Sequence, residues 1–165
     1  MLSDESILRQ RAARFAQASA TGSAALSREV ILFSRDGETY AVSPASVREV
    51  SPQKAITVLP GVPAHIVGLI NLRSRIVAVV DIAALFGRHA SIDSARAKIL
   101  IVAEADKEFG LLADDLLGMQ TVALGEGVAG SRSLDAKFFR GFLPDGRPVL
   151  DLAAIAEQCV VNQQI

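Results

Sequence analysis

Gly68-Leu69-Ile70-Asn71-Leu72-Arg73-Ser74-Arg75-Ile76-Val77-Ala78-Val79-Val80-Asp81-Ile82 reads as two apolar strands meeting at a polar corner, with two arginines held at that corner. Asp81 stands where the second strand gives way to a short helix. An apolar core has no use for arginines so close to its centre, which makes Arg73 and Arg75 the first candidates for a working surface. The plainer account is a charged hairpin turn whose long side chains keep their heads in water.

On the C-terminal side of this stretch, Ile82 to Phe86 reads as a short helix stopped at Gly87. On its N-terminal side, Pro52, Pro60, Gly61 and Pro63 mark an irregular crossing segment. Before that, Val30 to Ser34 and Glu38 to Val42 are β-rich runs around Asp36-Gly37, a strong hairpin signal. Ser43-Pro44 closes the second run, and Val47-Arg48-Glu49-Val50 is expected to be a half-buried strand. Ser3 to Gln17 carries Leu8, Ala12 and Phe15 at helical spacing behind a Ser3-Asp4-Glu5 start, which predicts a short amphipathic helix. Ala18 to Ser27, rich in Ala, Ser, Thr and Gly, is expected to be a linker.

The pattern then repeats. Ile99 to Val102 and Phe109 to Leu112 form a second hairpin signal across a turn expected at Asp106-Lys107, and Asp115 to Val122 follows as Ala45 to Val50 did. After a loop from about Gly125 to Asp135, Phe138 to Leu143 and Arg147 to Leu150 flank Pro144-Asp145-Gly146, a further turn. The end of the first half, Arg75 to Ala84, returns in shorter form as Arg147-Pro-Val-Leu-Asp151-Leu-Ala-Ala. Each half thus supplies about five short strands and a terminal helix. Two small barrels fit that duplication, and a sandwich of short strands fits it as well.

Composition narrows the chemistry. Seventeen basic residues against eighteen acidic ones leave no basic excess for non-specific nucleic-acid binding. Cys159 is the one cysteine and lies on an apolar stretch, so a buried hydrophobe is expected rather than a reactive thiol. His65 and His89 have no Cys, His or Asp cluster at ligand spacing, so no metal site is expected. No signal pattern opens the chain, and charges interrupt its most apolar region well short of a membrane span. A soluble cytoplasmic protein is the expectation.

No catalytic residues are expected either. Neighbours on a strand face opposite ways, so Asp114-Asp115 does not form a proton-sharing pair; one buried end and one solvated side chain is the simpler account. Asp81 and Asp151 stand before Ala-containing helices, where N-caps explain them. Gly125 to Gly130 fits GxGxxG but lacks the strand–loop–helix setting of a nucleotide site. What remains is interaction: barrel edges and grooves that bury apolar side chains of a partner, with the Val47 strand and the Met119 region as candidate linings.

The order of these motifs resembles the CheW-like domain of bacterial chemotaxis coupling proteins. Gly68-Leu-Ile-Asn-Leu-Arg73 followed by Ile76-Val-Ala-Val-Val-Asp81-Ile82 is similar to that family's G-x-x-N-L-R-G-x-I-x-P-V-x-D-L. Glu38-Thr-Tyr40, Val47-Arg-Glu49-Val50, Pro63 to Gly68, Leu112-Ala-Asp114, Gly141-Phe-Leu and Leu150-Asp151-Leu152 add support, and the resemblance spans Glu29 to Gln158. It implies a mainly β fold of two intertwined five-stranded SH3-like barrels with short helices. The expected division is residues 1–28 as N-terminal helix and linker, 29–158 as the CheW-like domain of two interleaved barrels, and 159–165 as a tail. It implies a non-enzymatic scaffold, without cofactor, that couples the cytoplasmic tip of a methyl-accepting chemoreceptor to the regulatory domain of a CheA-like histidine kinase. Contact with the membrane would run only through receptors. Val47, Glu49, Gly68 and Arg73 match the family's receptor-binding surface. Ser74 stands in place of the usual Gly, and Ala78 in place of the usual Pro. The alternative is a small-barrel module for a ligand or nucleic acid outside chemotaxis, which would call for stacking aromatics in a chain with one Tyr and no Trp.

Overall fold

The computed structural model describes residues 27–52, 55–88, 91–92, 96–123 and 137–160. The amphipathic helix expected over 3–17, nearly all of the linker, the GxGxxG loop and residues 161–165 lie outside them. The first half of the chain gives β1 (Ser27–Arg35), β2 (Glu38–Val42), a 3-10 turn at Pro44–Ser46, β3 (Val47–Pro52), β4 (Ile66–Leu72), β5 (Arg75–Val80) and helix α1 (Ile82–Leu85). The second half gives β6 (Lys98–Glu104), β7 (Lys107–Ala113), β8 (Asp115–Ala123), β9 (Phe139–Phe142), β10 (Pro148–Leu150) and helix α2 (Leu152–Val160).

These strands form two five-stranded sheets, ordered β8-β1-β2-β10-β9 and β3-β6-β7-β5-β4. Advancing every first-half strand by five, and drawing every second-half strand back by five, converts one order into the other. The duplication legible in the sequence is therefore a duplication of sheets, with strands exchanged between halves. Neither half contains a whole sheet. Parallel pairing recurs at matched places, with Val149 opposite Ala41 and Val79 opposite Gly110.

Three hairpins turn on two residues that both have positive φ: Asp36-Gly37 (53° and 76°), Arg73-Ser74 (50° and 69°) and Ala105-Asp106 (49° and 65°). This is the turn whose twist matches the flanking strands. The second hairpin turn thus sits one residue earlier than the expected Asp106-Lys107, because Glu104 pairs with Lys107 and makes Lys107 the first residue of β7. Ser74 does adopt the left-handed conformation, and the Asn71 carboxamide oxygen accepts from its N–H at 3.0 Å. Both helices begin as expected: Asp81 Oδ1 accepts from Ala83 N–H at 3.0 Å and Asp151 Oδ1 from Ala154 N–H at 3.2 Å.

Three apolar clusters fill the molecule. Leu72, Val77, Val79, Ile99, Ile101 and Leu112 occupy the inner face of the second sheet, and Val30, Leu32, Ala41 and Leu143 that of the first. The largest cluster is a seam between them, where Phe33, Tyr40 and Val42 of the first sheet meet Val80, Leu100, Val102 and Leu111 of the second. Residues 99–102 read as one apolar run because alternate side chains serve the barrel and the seam. Helix α2 packs Leu152, Ile155, Ala156 and Cys159 onto the seam. The ordered elements accordingly run past the expected divisions, with Ser27 and Arg28 in β1 and Cys159 and Val160 in α2.

Candidate interaction surface

The β4–β5 turn lifts Arg73 into solvent, and its side chain is 77% exposed. Its Nη2 nevertheless stands 3.4 Å from Glu49 Oε2 on β3. β3 and β4 are the two edges of the second sheet, so the ion pair spans the gap where that sheet curls back on itself. The main chain closes the same gap: Thr57 and Leu69 exchange N–H···O=C bonds of 2.8 and 2.9 Å. Arg75, on the other side of the turn, pairs with Glu108 of β7 at 2.8 Å.

Gly68 lies at a bulge in the β4–β5 ladder, directly beneath this closure. A Cβ there would stand 2.3 Å from the Thr57 carbonyl oxygen and 2.7 Å from Ile56 Cγ2. Glycine is needed because the crossing strand touches the backbone itself. Glu49, Gly68 and Arg73 therefore gather around one closure. Val47 does not join them, because its half-buried side chain packs against the seam.

β3 is the half-buried strand expected. Its partly shielded side includes Glu49 while Val50 is exposed, since a bulge between Val47 and Glu49 leaves Arg48 without a partner in the ladder. Exposed apolar side chains continue on β8, the edge of the first sheet, where Leu117 is 51% and Met119 61% exposed. Lys98 of β6, which pairs with Pro52 at the end of β3 and with Ala113 at the end of β7, reaches Asp115 at the start of β8 at 3.3 Å. Exposed apolar side chains thus stand on both edge strands, Val50 beside Glu49 on β3 and Leu117 and Met119 on β8.

The carboxylates are committed to structure. Of the Asp114-Asp115 pair, Asp115 is the solvated member, and Asp114 accepts from Arg35 Nη1 at 2.9 Å and from Asp36 N–H at 2.7 Å. Arg35 is the charged residue that the sequence reading missed, and it is fully buried. The hydrogen bonds it gives Asp81 raise its pKa above its ordinary value, against the cost of desolvation. Its position was a usable signal, because it stands two residues after Phe33 and so on the same inward face of β1. Burial pushes the Cys159 thiol up to about 11, consistent with a packing role. Among the described residues, no three His, Cys, Asp or Glu side chains converge as metal ligands.

Two interleaved small barrels with reactive groups tied into structure, and exposed apolar side chains on their edge strands, define an interaction module. Residues 29–158 match the family model described as the CheW-like domain, and the chain belongs to that family. It is 32% identical over 119 residues to a probable chemotaxis protein CheW of Rhizobium etli, covering 70% of this chain and 77% of that one. It is 35% identical over 117 residues to chemotaxis protein CheA of Listeria innocua, covering 68% of this chain and 18% of that one. The crystal structure of scaffolding protein TtCheW from Thermoanaerobacter tengcongensis superposes with a TM-score of 0.69 at 26% identity, over 76% of this chain and 90% of that one.

Proposed function

We propose that this chain is a non-enzymatic coupling adaptor that joins chemoreceptor signalling tips to a CheA-like histidine kinase in the cytoplasm. The observation that carries the reading is the Glu49–Arg73 pair across the closed edge of the second sheet, with exposed Val50 beside Glu49 on β3. Exposed apolar side chains on an edge accept one face of a helical hairpin, and a charged pair fixes its register. Kinship with both CheW and CheA proteins supports a kinase partner built on the same barrels, docked end to end. Among the described residues no helix is long and apolar enough to cross a membrane.

A nucleic-acid module finds less support. Among the described residues, the rings of Phe33, Tyr40, Phe86, Phe138, Phe139 and Phe142 pack on one another at centroid distances of 5.2–6.1 Å rather than standing out as stacking platforms. The test is a titration of the full chain against a receptor signalling-tip fragment and a kinase regulatory domain. Saturable binding to both, with Met119→Asp losing only the receptor fragment, supports the adaptor. A folded chain that binds neither partner contradicts it.

A further inference from the structure

Arg35 ends β1 in the first sheet, yet its guanidinium serves the other sheet. Nε and Nη2 donate to the two oxygens of Asp81, at the end of β5, at 2.8 and 2.7 Å. Nη1 donates to Asp114 Oδ1, at the end of β7, at 2.9 Å and to the Ser91 carbonyl at 3.0 Å. Each carboxylate has a second duty: Asp81 caps α1, and Asp114 Oδ2 holds the Asp36 N–H in the β1–β2 turn. Arg88 closes the network from the far side, with Nη2 donating to the Asp36 carbonyl at 2.6 Å and reaching Asp36 Oδ2 at 2.9 Å. A chain of charge-assisted bonds thus runs from the first hairpin of one sheet to two strand ends of the other.

Stability alone does not account for this node, since apolar side chains of similar volume often serve a buried site as well or better. The large cluster at the seam is apolar, and hydrophobic contact has no direction; beside the node, one main-chain bond from Asp114 N–H to the Ser34 carbonyl at 2.8 Å also crosses. A guanidinium fork gripping one carboxylate with two bonds has a strict geometry that tolerates little sliding. The elements it grips are those that carry the interaction surface. Asp114 is the residue before β8, which bears Leu117 and Met119, and Asp81 ends the hairpin that presents Arg73.

We propose that Arg35 is a positioning residue that fixes the two barrels relative to each other and so holds β8 at a set spacing from the Glu49–Arg73 closure. The consequence for a receptor hairpin rests on the adaptor reading; the fixing of the barrels does not.

The test places spin labels at Ile76→Cys in the second sheet and Thr121→Cys in the first, in a Cys159→Ala background, and reads their distance distribution. A control pair, Ile76→Cys with Arg48→Cys, lies within the second sheet. Two changes are made to the node. Arg35→Lys keeps the charge and loses the fork; Arg35→Met with Asp81→Asn and Asp114→Asn removes all three charges while an amide still caps α1. In whichever of these folds cooperatively, the inter-sheet distribution shifts or broadens while the control distribution stays as in the parent. Affinity for a receptor-tip fragment falls about tenfold alongside. An inter-sheet distribution identical to the parent's in a folded variant overturns the proposal. Failure of the parent itself to bind the fragment contradicts the adaptor reading and leaves the spin-label result to judge the node.

Discussion

Glu49 stands on β3 at one edge of a five-stranded sheet and Arg73 in the turn that follows β4 at the other edge, and their side chains meet at 3.4 Å. The distance is long for a charge-assisted hydrogen bond, and Arg73 is mostly in water. Such a pair holds the fold together weakly; its value lies in what it presents at the surface.

A double-mutant cycle separates those roles. Glu49→Gln, Arg73→Gln and the double variant, unfolded in urea, are expected to give a coupling of roughly 0.5 kcal/mol. Arg73→Glu is expected to weaken receptor-fragment binding more than about tenfold while leaving the melting temperature nearly unchanged. A coupling above about 2 kcal/mol would instead make the pair a structural clamp.

Gly68 carries the opposite burden, structural first and functional second. Gly68→Ala sets a methyl against the Thr57 carbonyl and the Ile56 side chain, and the crossing strand must move. The expected loss of stability is about 1–3 kcal/mol, with faster hydrogen exchange at the Thr57 and Leu69 amides. Unchanged exchange at both amides would show that the closure does not depend on that glycine.

Asp81 is both counter-ion and cap. Asp81→Ala leaves the buried Arg35 guanidinium without its two-bonded partner and α1 without its acceptor. The expected cost is about 3–5 kcal/mol in denaturant unfolding. Asp81→Asn keeps the cap and one neutral acceptor, so it should cost less. Equal losses in the two variants would place the whole effect in the ion pair.

His65 is buried, its Nε2 has no hydrogen-bond partner among the described residues, and desolvation lowers its pKa from 6.5. The unfolded chain therefore binds more protons than the folded one between that lowered value and 6.5. The contribution of neutral His65 is complete above the unfolded value and is lost as pH falls toward the folded one. Stability measured from about pH 7.5 to 5 should decline for the parent and decline less for His65→Leu. Identical slopes would assign the pH dependence to other groups.

Much of this was legible from the residues. Asp36-Gly37, the repeated strand-then-Asp pattern at Asp81 and Asp151, and the paired apolar runs Ile99 to Val102 and Phe109 to Leu112 announced hairpins and caps. Sheet membership was harder to read, because strand exchange between halves leaves no mark on local alternation; only the match of Arg75–Ala84 with its later copy hinted at it. Glu49 and Arg73 came through the family motif, and their meeting depends on how the sheet closes. Val47 was placed with them by that same motif, yet a bulge after it leaves its side chain on the seam. Arg35 escaped notice because a basic residue beside a turn reads as solvated unless its inward register and two distant carboxylates are considered together.

Coupling is measured most directly by kinase autophosphorylation in a mixture of receptor signalling fragments, a CheA-like kinase and this chain. Phosphorylation is expected to rise above the receptor–kinase background only when the chain is present, and to return to background with Arg73→Glu although that variant still binds the kinase. Equal phosphorylation with and without the chain, under conditions where it binds both partners, would contradict the account.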